Sequence, residues 1–465
     1  MKIKAFLLCG TVITMLAIGA GCQANESPPD AEATGIAVTE SANTEQPQKP
    51  SPTPVATAAA LEKAEPIWEA CYDLVANTAI DVTEDTVVIA SNDSQISGMH
   101  DASTLLGVDL ATGATRWQLD FGYNGYSYAS DTGIAYIAWA HSDASGIGEL
   151  LALRIADGET VWRHTGGREC GASITLAGAY ICALSESEAA QYTLRFYKQS
   201  DGMLAGEMQM DGYCEMYGYG GALVLYNAQT QYLFAADPAT QRILWSQDNV
   251  TALGKPQPLD ATQPFALWCL CGTQLVRLSA ATGEAERQYT LDEPFMESVG
   301  SADGEAYRSL TVTATHAFFD THENELLAWP DAIYALAQGR TVWLGQAESA
   351  LFGRAEFITV DRQDGVYSLS GISGENGICI WRTDISGAES LSAIRLYWLE
   401  DVIWVWTEAR VMLFTQSGAH IETQLFTTDE GKHVSFPLNA WVFEPRVYAQ
   451  RYFLPFPYGL RCYLR

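Results

Sequence analysis

From Pro66 onward, short apolar runs recur between clusters of Gly, Asp, Asn and Ser. The runs are strand length, rich in Val, Ile, Leu, Tyr and Trp, and bounded by turn residues, so they predict β-strands rather than helices. The clearest copies read LLGVDLATGATRW (105–117), LLALRIADGETVW (150–162), LFAADPATQRILW (233–245), IYALAQGRTVW (333–343) and ENGICIW (375–381). Weaker copies fall between them: TLRFYKQSDGMLAG, LVRLSAATGEAER and VMLFTQSGAHIE. The turn positions are 113, 158, 202, 241, 283, 339, 377 and 418, with most steps 38 to 45 residues and one of 56 that predicts an insertion.

Each copy has a physical logic. An apolar strand runs into a D-x-x-T-G turn, where Asp and Thr side chains bind backbone amides and Gly supplies positive φ. The following strand carries Trp. One hairpin cannot bury both faces, so the copies must stack on one another. Further short runs precede each hairpin, such as YSYAS and IAYIAWA before the second copy. Four strands per unit at this period predict an all-β propeller of about eight four-stranded blades, with seven or nine also compatible with the spacing.

The pattern apolar-x-A-L-D-x-x-T-G-x-x-x-W resembles the repeat of the pyrroloquinoline-quinone-type (PQQ-like) propellers, over about residues 66–465. The resemblance implies that the Trp docks between blades beside the turn glycine of a neighbour. Trp117, Trp162, Trp245, Trp343 and Trp381 match that position. Gly206, Arg287 and Glu422 stand there in the weaker copies, and those junctions are expected to pack less well. EPIWEACYD (65–73) reads as one more outer strand, with Trp68 in the Trp place. HVSFPL, RVYAQRYF and GLRCYLR read as inner strands without an outer one. Joining the two termini closes the ring, makes a ninth outer strand, and brings Cys71 and Cys462 onto adjacent strands as a candidate disulfide.

The N-terminus has a different texture. Lys2 and Lys4 precede an uncharged, mostly apolar run, Ala5–Gly21, that ends GAGC. This reads as a signal peptide over 1–21, and it resembles the lipobox of bacterial lipoproteins, with Cys22 as the lipidated residue and Gly19 where Leu is usual. Residues 22–65 are Ala, Thr, Ser, Pro, Glu and Gln, too poor in large apolar side chains to offset the entropy of ordering. They read as a lipid-anchored disordered linker. The chain carries Lys+Arg 26 against Asp+Glu 56, a net charge of −30. That field disfavours nucleic acid and anionic surfaces.

Candidate chemistry is sparse. Quinone-dependent dehydrogenases of the resembling class use a vicinal Cys-Cys disulfide over the cofactor. Here Cys269 and Cys271 are separated by Leu270, on one strand face with Cα atoms ~6.5–7 Å apart, at the edge of disulfide reach. Cys170 and Cys182 flank a short hairpin and can bridge, and Cys379 reads as a buried thiol. His316, Asp320 and His322 share one face if the strand is extended, a weak metal corner. Trp404 and Trp406 alternate toward one face and read as packing between blades. Trp398, Trp441, Phe443, Phe453 and Phe456 lie nearby in sequence. The loops at 91–104, 141–148 and 344–358 are the places where such a ring would bind a ligand.

The expectation is therefore an extracytoplasmic, membrane-anchored lipoprotein at the cell envelope. Its propeller acts as a binding scaffold for an envelope protein or glycan, as a monomer, without cofactor, catalytic residues or metal. In anchor, repeat type and ring size it resembles propeller lipoproteins of the β-barrel outer-membrane assembly machinery. A quinoprotein-like or hydrolytic enzyme using the central funnel, and a small-molecule or glycan sensor, are the alternative readings.

Overall fold

The computed structural model describes residues 66–464 apart from intervening segments, the longest being 93–102, 255–266 and 426–445. The signal segment 1–21, Cys22 and the linker 22–65 lie outside the described residues, as do Trp441, Phe443 and much of the three predicted ligand loops.

The described chain forms nine four-stranded antiparallel sheets, each a blade of a β-propeller. Blades 1 to 8 follow chain order: 76–122, 126–167, 173–210, 215–247, 250–290, 307–344, 349–385 and 394–425. Within each, the first strand is innermost and the fourth is the outer edge. Blade 9 is composite. Its strands Arg446–Tyr448, Arg451–Phe456 and Gly459–Leu464 are completed by Trp68–Cys71 as outer strand. The ninth outer strand is thus a true blade component, and the count settles at the upper end of the expected range.

Apolar residues pack mainly between neighbouring blades, not within one central core. Val88, Leu105 and Phe121 of blade 1 meet Ala135, Ile137 and Leu151 of blade 2. Ile358 and Leu369 of blade 7 meet Ile394 and Val405 of blade 8. Such an arrangement makes stability a sum over junctions. Trp406 is buried and Trp404 partly buried on one face of blade 8, with Val411, Leu413 and, from blade 1, Ala76. The long step between turns 283 and 339 holds a short helix, Glu293–Gly300, whose buried Phe295 lies edge-on to Tyr334 of blade 6.

Ring closure places Cys71 and Cys462 on paired strands but out of register. Cys71 opposes Gly459, whereas Cys462 opposes Trp68. One thiol is exposed and the other buried, and no disulfide joins them. The strands are instead held by their ladder and by Arg461, whose Nε lies 2.8 Å from Glu69 Oε2. No disulfide joins Cys170 and Cys182, which are both buried, and Cys379 is exposed, not buried. Cys379 precedes the buckled residue of its outer strand, whose side chains here face solvent.

Candidate functional site

All eight turn positions adopt positive φ, including Gln241 at 56°. In the first, Asp109 Oδ1 accepts the amides of Ala111 and Thr112 at 3.0 and 2.9 Å and the Thr112 hydroxyl at 2.9 Å. Arg116, followed by Thr112, holds the Asp109 carboxyl down at about 2.

The outer strands then do something alternation does not foretell. In each of blades 1 to 8, one residue of the outer strand bulges directly before the Trp place. In blade 1, Gly107 opposes Trp117 while Val108 opposes Thr115, leaving Arg116 as the extra residue. Val161, Leu244 and Ile380 occupy the same bulge in blades 2, 4 and 7. A bulge twists the strand and re-aims the next side chain. Here it lays the indole across the blade toward its neighbour.

Four indoles dock in the same way. The Nε1–H groups of Trp68, Trp117, Trp162 and Trp245 donate to the carbonyls of Leu110, Ile155, Gln199 and Ala280 at 3.0, 2.7, 2.9 and 2.9 Å. Each acceptor lies three residues before the next blade's turn glycine. A Cβ added at Gly158 would stand 2.5 Å from Trp117 Cγ, so the glycine serves both conformation and close approach. The residue beneath each indole is also small: Gly107, Ala152, Ala235, and Cys462 under Trp68. The Leu110 carbonyl additionally accepts from Arg451 at 2.6 Å, latching blade 9 to blade 1 twice.

The remaining expected docks differ. Trp381 covers Gly418, whose added Cβ would sit 2.3 Å from the ring, yet its buried Nε1–H has no partner. The cause is a turn one residue shorter. In the longer turns the glycine amide bonds the carbonyl four residues back, leaving the next carbonyl for the indole. Gly418 bonds Thr415, three back, the carbonyl that stands at the indole's place in the other turns. Trp343 opposes Ile333, a branched side chain that blocks the flat pose, and it packs edge-on against Phe357 instead. The carbonyl it would have used, Gly374, is taken by His316 Nε2 at 2.7 Å. His316 is thereby a junction residue. The side chains of Asp320 and His322 lie outside those described, and among the described residues no group of three or more His, Cys, Asp or Glu could hold a metal ion.

Two of the junctions expected to be weak are filled by other means. At Gly206 the turn residue Gln241 reaches back, its amide donating to Ala205 O at 3.1 Å and filling the space over the glycine. At Arg287, Asp292 accepts the Thr341 amide at 2.6 Å as well as the Thr341 hydroxyl. The Glu422 side chain lies outside those described.

Exposed apolar side chains gather on the outer edges, chiefly of blades 2 to 4, with Ile378 and Ile380 at the edge of blade 7. Among the described residues ten large hydrophobics are exposed, and five lie at the outer edges of three consecutive blades: Val161, Leu204, Ile243 and Leu244 on the outer strands, and Met203, 63% exposed, directly before one of them. The docks make these neighbours. Trp162 rests on Gly202 beside Met203, and Gln241 bonds Ala205 beside Leu204. A cleft of about 500 Å³ opens at one end, lined by Tyr136, Val161 and Trp162 of blade 2 and Tyr180, Lys198 and Gln199 of blade 3. Charge bounds the strip. In blade 1 the equivalent bulge is Arg116, clamped to Asp85 and Asp109 at 2.7 and 2.5 Å. In blade 5 it is Glu286, 2.9 Å from Arg277. An exposed apolar edge strand with unpaired backbone groups is ordinarily suppressed unless it has a partner. The sequence expectation of binding loops did not include this strip, although ETVW, GMLAG and RILW signal it by apolar residues on both sides of a strand.

Nine four-stranded blades, with tryptophans docked on turn glycines at several junctions, define a PQQ-type β-propeller. The chain belongs to the family described as outer membrane protein assembly factor BamB, whose model matches residues 51–247 and 101–365. Among solved structures it is similar to BamB from Moraxella catarrhalis, at 12% identity over 85% of this chain and 98% of that one, TM-score 0.41. It is also similar to a quinohemoprotein alcohol dehydrogenase from Pseudomonas putida, at 10% identity over 86% and 76% of the two chains, TM-score 0.41. A eukaryotic initiation factor aligns at 10% identity over 78% and 90%, TM-score 0.48. No curated protein matches the sequence. The dehydrogenase-type lid over a quinone needs adjacent cysteines, and Cys269 and Cys271 alternate along one strand instead, so these residues do not fit it.

Proposed function

We propose that this protein is a lipid-anchored envelope scaffold that binds a protein partner through the outer strands of blades 2 to 4. The observation that carries the reading is the exposed apolar strip Val161–Met203–Leu204–Ile243–Leu244 on three adjacent sheet edges. Membership of the assembly-factor family supports a protein partner. An extended segment pairing with such an edge gains backbone hydrogen bonds, while alternate side chains enter the apolar strip. The net charge of −30 favours a partner segment with basic flanks. Cys22 supplies the anchor and residues 22–65 the tether. Among the described residues, no helix is long and apolar enough to cross a membrane. The ring acts by binding, without catalysis.

Two substitutions test it separately. Cys22→Ser should abolish incorporation of a palmitate analogue and release the protein from membranes. Leu204→Lys with Leu244→Lys should leave the protein folded and anchored but remove its partner from detergent extracts. Unchanged membrane association in the first, or unchanged co-purification in the second, overturns that half of the reading.

A further inference from the structure

Cys269 and Cys271 stand at alternate positions of the strand Leu267–Cys271 in blade 5, on one face, with Sγ atoms 3.6 Å apart. Cys269 is fully buried among Val224, Tyr226 and Leu253, whereas Cys271 ends the strand and is only partly buried. We propose that this pair is a thiol–disulfide exchange site that takes low-molecular-weight disulfides, with Cys271 as the attacking thiol and Cys269 as the resolving one.

A regular strand holds such a pair ~6.5–7 Å apart at Cα, where a disulfide reaches only to about 6.8 Å, so closure needs a local buckle. The cysteine strand itself pairs regularly with its other neighbour through both cysteines, so the buckle forms on closure, and the opposing strand is already loosened by a bulge. Opposite the pair, Val250 faces Cys271 and Ala252 faces Leu270, with Thr251 bulged out of the ladder between them. Thr251 Oγ1 donates to the Leu270 carbonyl at 3.2 Å. Immediately after Cys271, Gly272 has φ 57° and open space around it, so the strand end can turn without collision.

The electrostatics match the assignment of roles. The hydrogen bond between the two sulfurs lowers the Cys271 pKa and, together with burial, raises that of Cys269. Burial instead pushes Cys214 up to about 12 and raises Cys182 further. A thiolate is the nucleophile in exchange, so Cys271 reacts first. It attacks one sulfur of RS–SR, forming a mixed disulfide and releasing RS⁻. The Cys269 thiol then loses its proton to solvent and attacks Cys271 Sγ, displacing the second RS⁻. Two protein thiols become one disulfide, and one small disulfide becomes two thiols.

The test uses the purified full-length chain, fully reduced, so its outcome is independent of any envelope partner. Graded mixtures of oxidised and reduced glutathione are applied, remaining thiols are alkylated after denaturation, and the tryptic peptides are weighed. Cys269 and Cys271 should become protected together, as a peptide lighter by two hydrogens, at least about tenfold faster than Cys182 or Cys214 is modified. Cys269→Ser should stop at a glutathione adduct on Cys271. A wild-type peptide that keeps both thiols in excess oxidised glutathione, or that halts at the adduct, overturns the proposal.

Discussion

The junctions of blades 1 to 3 and those of blades 6 to 8 use the same repeat and reach different solutions. At Trp117 a bulge, a small residue beneath, a turn glycine ahead and a spare carbonyl are all present, and the indole satisfies every polar group it buries. At Trp343 only the bulge and the glycine remain. Ile333 blocks the ring, and His316 from another strand takes the carbonyl. The Trp alone, therefore, does not make a dock. The dock is a four-part agreement between two blades, and removing one part sends the indole elsewhere.

The largest expected effect breaks that comparison outright. Trp117→Ala should cost about 3 kcal/mol or more in urea unfolding, near the usual range for deleting a large packed aromatic. Trp343→Ala should cost roughly half as much, because its ring forms no inter-blade hydrogen bond of the docked kind. Equal losses would show that the docked geometry adds nothing. The next effect separates contact from conformation. Gly158 and Gly133 both have positive φ, but only Gly158 has a ring pressed against it. Gly133→Ala should cost about 1 kcal/mol, the left-handed penalty alone, and Gly158→Ala about 3 kcal/mol. Similar values for the two would remove the close approach from the account.

A smaller effect sharpens the comparison by repair. One residue inserted between Gln416 and Ser417 restores the longer turn and frees a carbonyl for Trp381 Nε1. A gain of roughly 1 kcal/mol is expected, the net worth of one hydrogen bond in place of a buried unpaired donor. No gain would mean that the turn length does not explain the unpaired indole. The smallest effect is electrostatic. Asp109 in the folded chain sits near 2, below its ordinary 3.8, because Arg116 and Thr112 favour the carboxylate. Its contribution is present above about pH 4 and fades as pH falls toward 2. The Tm difference between wild type and Asp109→Asn should shrink across that interval, and a constant difference would refute the linkage.

Much of this was legible in the residues. The turn positions, the four strands per unit and the closing role of Trp68 follow from local pattern, because turn chemistry and strand alternation act over a few residues. What the sequence hid depends on pairing across strands. Trp343 looks the same as Trp117 until register sets Ile333 opposite it. Cys71 and Cys462 read as partners until a three-residue offset separates them. Gln241 looks like a lost glycine, yet its side chain fills the gap left at Gly206, so two irregular copies complement each other. The apolar strip was hidden for a related reason. Residues on both sides of an outer strand read as core until the blade order shows that nothing packs on them.

The central claim is that this strip holds a protein partner, and crosslinking from within it is the most direct measurement. A photoreactive residue placed at Leu204 in the full-length protein, in its own envelope, should yield one discrete protein adduct. The same residue at Gln288, on the outer strand of blade 5, should yield none. Loss of the Leu204 adduct on adding Leu244→Lys would place both residues under one partner. Equal labelling from the two positions, or no adduct from Leu204, would contradict the account.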